Sequence, residues 1–168
     1  MDLIGNILYD TVYHSAPIIL CVIGGVFAFK ANVLNIALEG MMLIGAFVST
    51  LVGFFTGNLI LACALAVLAS FALGLIFSFM GVTLKGNVIV IGLAINMLAP
   101  AIAGFVMVLM STSNITIPGL NVADLQINIP VIGQIPIVGD ILSGHPILTY
   151  VAFIGIALMW ALLYKTRF

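Results

Sequence analysis

The chain has 168 residues, of which 64% are hydrophobic and 5% are charged. Soluble domains average about 25% charged residues, so four Lys/Arg and five Asp/Glu are too few to cover a water-facing surface. This composition excludes a soluble globular domain and a disordered chain. The net charge of -1, with no basic patch, also excludes a nucleic-acid binder. The sequence therefore predicts a polytopic protein embedded in a lipid bilayer.

Long apolar stretches predict the membrane-spanning segments. A helix needs about 20 mainly apolar residues to cross a hydrocarbon core of roughly 30 Å. Lipid-exposed backbone must satisfy its own hydrogen bonds, which favours helices over irregular chain. The fold class predicted is an all-α membrane protein with about five transmembrane helices, at residues 12–29, 34–55, 59–83, 88–110 and 146–164.

The basic residues predict the orientation of these spans. Lys30 follows the first span, Lys85 follows the third, and Lys165 and Arg167 follow the fifth. In a serpentine of five helices these positions share one side of the membrane, which the positive-inside rule makes cytoplasmic. We therefore expect the N-terminus outside and the C-terminus inside.

One long connection, residues 111–145, falls on the predicted external side. Its prolines and glycines exclude a continuous helix. Residues 125–129 alternate apolar and polar side chains, which is typical of a short strand. The apolar content of this Pro/Gly-rich external loop favours a structured cap over a flexible linker.

Small residues recur every four positions along the third span. Without a hydrophobic driving force between helices in lipid, close approach over small side chains is the main means of helix packing. We therefore predict a helix-packing stripe made of Ala62, Ala66, Ser70, Gly74 and Ser78.

The fourth span carries a different stripe with the same four-residue spacing, made of Gly92, Asn96, Pro100 and Gly104. Proline has no N–H, so the carbonyl of Asn96 loses its usual partner one turn later. An amide and a freed carbonyl at mid-membrane depth are typical of helices that line a cavity. The alternative is a proline kink at which the side-chain amide of Asn96 binds a neighbouring helix.

Glu39 is the acidic residue that lies inside an apolar run, and such residues suggest function by default. Asn35 lies four residues earlier, so both side chains would share a helical face. In the competing interpretation, Asn35 caps the second helix and Glu39 stabilises its positive end. Asn35, Glu39, Asn96 and Pro100 are the predicted substrate-pathway residues.

No catalytic residue and no metal site are predicted. Cys21 and Cys63 lie within apolar runs, and His14 and His145 are isolated from other ligand types. The sequence has no phosphate-binding GxxxxGK[ST] motif. Any energy source must therefore be another subunit or an ion gradient.

Four stretches in order resemble the permeases of ATP-binding-cassette (ABC) importers, in the branch for nucleosides and simple sugars. ANVLNIALEGMMLIGAF (31–47) is similar to a signature of that branch, and GNVIVIGLAINMLA (86–99) is similar to its fourth-span segment. IPVIGQIPIVGDILSG (129–144) resembles its external connection, and YKTRF (164–168) resembles the opening of the stretch that contacts the ATPase.

This resemblance implies a multi-pass permease subunit of the bacterial plasma (inner) membrane that is not itself an enzyme. Its implied partners are a second permease subunit, two cytoplasmic ATP-binding subunits that carry Mg-ATP, and an extracytoplasmic substrate-binding protein. The chain itself would hold no cofactor. Because such permeases are considerably longer, residues 1–168 would form the N-terminal part of a single transmembrane permease domain, with the ATPase-docking residues beyond Phe168.

The branch favours nucleosides over simple sugars as the solute. The absence of Lys and Arg within the predicted spans disfavours an anionic solute. Two other classes remain as alternatives. A channel subunit would need an oligomeric pore with rings of carbonyls or charges. A secondary transporter would usually carry several intramembrane ionisable groups.

Overall fold

The computed structural model describes residues 3–117, 119, 126–127 and 143–165. The chain divides into two compact units. One is formed by Met1–Val26 with Asn121–Phe168, and the other by Phe27–Leu120. Most of the predicted external loop, including residues 128–142, lies outside the described residues, as do residues 166–168.

Five long α-helices dominate the described chain. They are α1 (Leu3–Lys30), α2 (Leu38–Thr56), α3 (Leu59–Ser78), α4 (Val88–Leu109) and α5 (Ile147–Lys165). A π-helical turn, Phe79–Thr83, extends α3. Each helix is long and apolar enough to cross a membrane. The predicted all-α fold with five spans is therefore confirmed.

A short antiparallel pair of strands accompanies the helices. β1 (Gln126–Ile127) pairs with β2 (His145–Pro146), with Gln126 opposite Pro146 and Ile127 opposite His145. A strand therefore lies within the predicted range 125–129, and Gln126 and Ile127 are the residues of that range that the structure describes.

Two helix boundaries differ from the sequence-based ranges. α1 begins at Leu3, well before residue 12, and α2 begins at Leu38 instead of residue 34. The later start of α2 has a local cause, because Asn32 adopts a left-handed conformation with φ of 61°. Asparagine tolerates this region better than most residues, and the turn ends the helical path after Lys30.

Asparagine caps fix the starts of α3 and α4. The side chain of Asn58 accepts from the backbone N–H groups of Ile60 and Leu61. Asn87 accepts in the same way from Ile89 and Val90. These bonds satisfy N–H groups that the first turn of a helix leaves without partners.

In the unit Phe27–Leu120, α2 packs against both α3 and α4. Its buried apolar cluster consists of Ala37, Phe77, Ile91 and Ile95, with Val33, Met41 and Val88 packed against it. Ala37 precedes α2 and is fully buried. The core of this unit therefore lies at the start of α2, where the chain is not yet helical.

In the other unit, small residues line the approach of α1 to α5. Ala16 and Ala152 are buried, and a Cβ added to Gly155 would lie 2.9 Å from Cδ1 of Ile23. The hydroxyl of Tyr9 donates to the carbonyl of Gly144 at 2.7 Å. The residues just before α5 are thereby tied to the first helix.

Candidate functional site

Two asparagine side chains bind the non-helical segment that leads into α2, within the unit Phe27–Leu120. Residues 31–37 turn and extend between α1 and α2. Within them, Oδ1 of Asn35 accepts from the N–H of Ala37 at 3.0 Å. This is the local turn that asparagine favours, and it prepares the backbone for the helix that begins at Leu38.

The amide of Asn96, on α4, binds the end of this segment with its nitrogen and the first turn of α2 with its oxygen. Nδ2 donates to the carbonyl of Ile36 at 2.9 Å, and Oδ1 accepts from the N–H of Gly40 at 2.8 Å. Ala37 is the N-cap residue of α2 and makes no side-chain capping bond. Asn96 therefore supplies, from another helix, an acceptor that a local cap would normally provide.

Two glycines make this contact close enough to form. A Cβ on Gly40 would lie 2.9 Å from Oδ1 of Asn96 and 2.9 Å from the carbonyl oxygen of Ile95. A Cβ on Gly92 would lie 3.0 Å from Cβ of Ile36. Both distances are shorter than ordinary van der Waals contact. We call the group Ile36, Gly40, Gly92 and Asn96 the amide junction.

A second hydrogen bond joins α2 to α3. The hydroxyl of Ser70 donates to the carbonyl of Met41 at 3.0 Å. A Cβ on Gly45 would lie 2.6 Å from Oγ of Ser70, so this glycine gives the hydroxyl its space. The first turns of α2 are thus held by Asn96 on one side and Ser70 on the other.

The small-residue stripe of α3 does not behave uniformly along its length. Ala62 is fully buried and Ser70 is half-buried at the hydrogen bond to α2. Ala66 is half-buried as well, whereas a Cβ on Gly74 would meet nothing within 4 Å, and Ser78 is exposed. Contact with α2 therefore involves the N-terminal part of the stripe.

The predicted pathway residues fall into two groups. Asn35 and Asn96 are half-buried and engaged with backbone, whereas Glu39 and Pro100 are exposed. Because α2 begins at Leu38, Asn35 and Glu39 do not share a helical face, and Asn35 caps a turn instead of the helix. Glu39 lies in the first turn of α2, as the competing interpretation has it.

Sequence reasoning missed the partners that give the amide junction its geometry. Ile36 and Gly40 contribute only backbone groups, and they lie 60 and 56 residues from Asn96. Gly92 was part of the α4 stripe, but its contact with Ile36 depends on the turn before α2. The signal that was available is the pair of asparagines at 32 and 35, which favours a turn over helix.

The unit formed by Met1–Val26 and Asn121–Phe168 offers a different environment. An apolar cavity of about 370 Å³ is lined by Tyr13, Pro17, Leu20, Pro146 and Leu148, among others. Nearby, His145 is buried and its ring stacks on Tyr9 with centroids 4.2 Å apart. This cavity presents few polar groups to a hydrophilic solute, so the amide junction is the stronger candidate site.

Five helices long and apolar enough to cross a membrane, with a hydrogen-bonded non-helical segment between two of them, are typical of a multi-pass membrane protein. The family described as "Branched-chain amino acid transport system / permease component" matches residues 7–168. The chain belongs to this family of transport permeases. Together with its relatives, this assigns it to the inner membrane of bacteria.

Three relatives align along nearly the whole chain. It is 35% identical over 179 residues to the guanosine ABC transporter permease protein NupQ of Bacillus subtilis, covering 100% of this chain and 54% of that relative. It is 32% identical over 170 residues to the nucleoside ABC transporter permease protein NupC of Lactococcus lactis, covering 96% and 53%.

A putative glucose ABC transporter permease protein, TsgC13 of Haloferax volcanii, is 26% identical over 171 residues, covering 99% of this chain and 50% of the relative. The chain thus spans about half the length of the curated relatives it matches. No solved structure matches the chain significantly.

Proposed function

We propose that the chain forms part of the translocation path of an ATP-driven importer for nucleosides. The observation that carries this proposal is the 35% identity, along the whole chain, to a protein named as a guanosine permease. A second relative above 30% identity is also named as a nucleoside permease. The chemistry of the described residues agrees with a neutral, hydroxyl-rich solute.

The distribution of charge supports this solute class. Within the described residues, Lys30 and Lys165 lie in the last turns of their helices, and Lys85 lies between helices. A path for phosphate or carboxylate groups would be expected to place Arg or Lys at membrane depth. Asparagine amides and backbone carbonyls instead suit hydroxyls and base edges.

We assign different roles to the four predicted pathway residues. Glu39 and Pro100 are exposed, and Glu39 offers two acceptor oxygens for a solute hydroxyl. The backbone carbonyl of Asn96, which lacks an N–H donor at Pro100, is a further acceptor. The side chains of Asn35 and Asn96 position the backbone around these groups, because they already bind Ala37, Ile36 and Gly40.

In this proposal, other chains supply the energy for transport. ATP-binding subunits would hydrolyse Mg-ATP and rock the permease helices between outward-open and inward-open states, while an extracytoplasmic protein would deliver the solute. This chain would hold no cofactor of its own and would pair with a second permease subunit. Its N-terminus would lie outside and its C-terminus inside.

A simple-sugar importer is the second candidate function, favoured by the resemblance to the putative glucose permease. Uptake assays distinguish the two. The full-length subunit is co-expressed with its partners in cells that lack other nucleoside and sugar importers. We expect ATP-dependent uptake of radiolabelled guanosine that unlabelled nucleosides inhibit and glucose does not. ATP-dependent uptake of radiolabelled glucose but not of guanosine would favour the sugar candidate, and the absence of ATP-dependent uptake of either would refute the proposal.

A further inference from the structure

The burial of α4 changes at Pro100. The buried residues of this helix are Ile91, Gly92, Ile95 and Ala99, and all of them precede the proline. After it, no residue of α4 is buried, and the least exposed positions, Ala103, Val106 and Met107, are half-buried. The two halves of one helix therefore differ in how firmly they are held within the unit Phe27–Leu120.

The amide junction lies on the held half, directly before the proline. Asn96 is one helical turn before Pro100, and its side chain binds Ile36 and Gly40. These two bonds fix the segment Val88–Asn96 to the start of α2. The bond from Ser70 to Met41 fixes the same part of α2 to α3.

The backbone bond that would join the two halves of α4 at this level is missing for a chemical reason. Pro100 has no N–H to donate to the carbonyl of Asn96. Sharp bends in helices occur at such positions. Asn96 thus contributes to both features, because its side chain fastens the first half and its carbonyl is released at the proline.

We propose that Asn96 is a positioning residue that fastens the first half of α4 to α2, and that Pro100 is a hinge about which the second half tilts during transport. The proposal rests on the transport function proposed above. It assigns one rigid body to α2, the part of α3 around Ser70 and Val88–Asn96, and a separate moving segment to Ala101–Leu109.

Distances between spin labels test this hinge in the complete transporter reconstituted in lipid. Labels are placed on exposed residues, with Met42 on α2 as the common reference. One pair joins Met42 to Leu93 on the held half, and the other joins Met42 to Val108 beyond the proline. Each is measured without nucleotide and after trapping with ATP and vanadate, in a background with Cys21 and Cys63 replaced by serine.

We expect the Met42–Leu93 distance to be the same in both states and the Met42–Val108 distance to change by more than about 2 Å, the scale of helix shifts in switching proteins. Pro100→Ala restores an N–H at the hinge. We expect it to remove the change at Val108 and to lower uptake several-fold without lowering the melting temperature. A purely structural role for Pro100 would not link the label distance to uptake in this way.

The outcomes separate this inference from the proposed function. A wild-type complex that takes up neither nucleoside nor sugar refutes the function, whatever the label distances are. A wild-type complex that transports while both distances change equally, or while neither changes, refutes the hinge alone. Full uptake by Pro100→Ala with an unaltered change at Val108 also overturns it.

Discussion

Asn96 in one unit and Tyr9 in the other perform similar tasks with different chemistry. Each lies within a helix and donates to the carbonyl of a non-helical residue that precedes another helix, Ile36 for Asn96 and Gly144 for Tyr9. Non-helical backbone groups that packing removes from water need partners of this kind. Both side chains allow the chain to leave helical geometry between spans.

We call the hydrogen-bonded contacts that Asn96 and Tyr9 make with non-helical backbone the two ties. They differ in how many hydrogen bonds depend on one side-chain group. The amide of Asn96 also accepts from Gly40, so its loss leaves a donor and an acceptor unsatisfied at once. The ring of Tyr9 also stacks on His145 at 4.2 Å, and this contact does not need the hydroxyl. We therefore expect the amide junction to tolerate little change and the tyrosine tie to tolerate more.

The largest effect is expected for Asn96→Leu, which keeps the branched side-chain shape and removes both hydrogen bonds. Each unsatisfied buried backbone group costs about 1–3 kcal/mol, so we expect a loss of about 2–6 kcal/mol for the two groups. Thermal unfolding of the purified protein in detergent measures it, and uptake should fall with it. Met97→Leu, at an exposed neighbouring position, is the matched control. Equal melting temperatures for the two variants would contradict the role of the amide.

The second-largest loss of stability is expected for Gly40→Ala. The added Cβ would lie 2.9 Å from Oδ1 of Asn96 and 2.9 Å from the carbonyl oxygen of Ile95. Overpacking of this kind costs about 1–3 kcal/mol. Gly74→Ala is the control, since nothing lies within 4 Å of its added Cβ. Alanine favours a helix over glycine, so the control should be neutral or stabilising. A destabilised Gly74→Ala with an unchanged Gly40→Ala would reverse the comparison.

A smaller and more specific effect is expected where α2 meets α3. Gly45→Ala alone should destabilise, because its Cβ would lie 2.6 Å from Oγ of Ser70. Ser70→Ala removes that atom together with its bond to Met41, at a cost of about 1 kcal/mol. In the double variant we expect less destabilisation than the sum of the two single variants. Strict additivity of the melting data would show that the two positions do not interact.

The smallest effect is expected for Tyr9→Phe. The hydroxyl bond to Gly144 is lost while the stacking ring remains, so we expect about 0.5–1 kcal/mol. Tyr9→Ala removes both contacts and should cost clearly more. If the phenylalanine variant were as unstable as the alanine variant, the hydroxyl would dominate this tie, and the contrast with Asn96 would disappear.

The sequence predicted those parts of the fold that depend on local composition. Five apolar runs gave the five spans, and the alternation at residues 125–129 indicated β1, because both patterns are properties of neighbouring residues. The orientation of the spans stays a prediction. The start of α2 was placed too early because residues 34–37 are apolar enough to continue a helix, whereas the left-handed Asn32 and the turn at Asn35 decide the actual boundary.

The candidate site was predictable only in part, for a related reason. Asn96 and Pro100 were identifiable because polar and helix-breaking residues are conspicuous in a span. Their partners were not, since the carbonyl of Ile36 and the N–H of Gly40 exist at every position of any chain. When a side chain binds distant backbone, the sequence shows which side chain takes part but not which backbone it binds. The glycines at 40 and 92 indicate the backbone partner only after the fold is known.

The sequence separation of the two ties has a consequence for biosynthesis. Asn96 reaches backbone 60 residues earlier, so its bond can form once the fourth span has left the ribosome. Tyr9 binds a residue 135 positions later. The first helix therefore lacks that bond while more than a hundred further residues are translated. A ribosome stalled between these two points would carry a chain whose middle is already fastened and whose leading helix is still unattached at Tyr9.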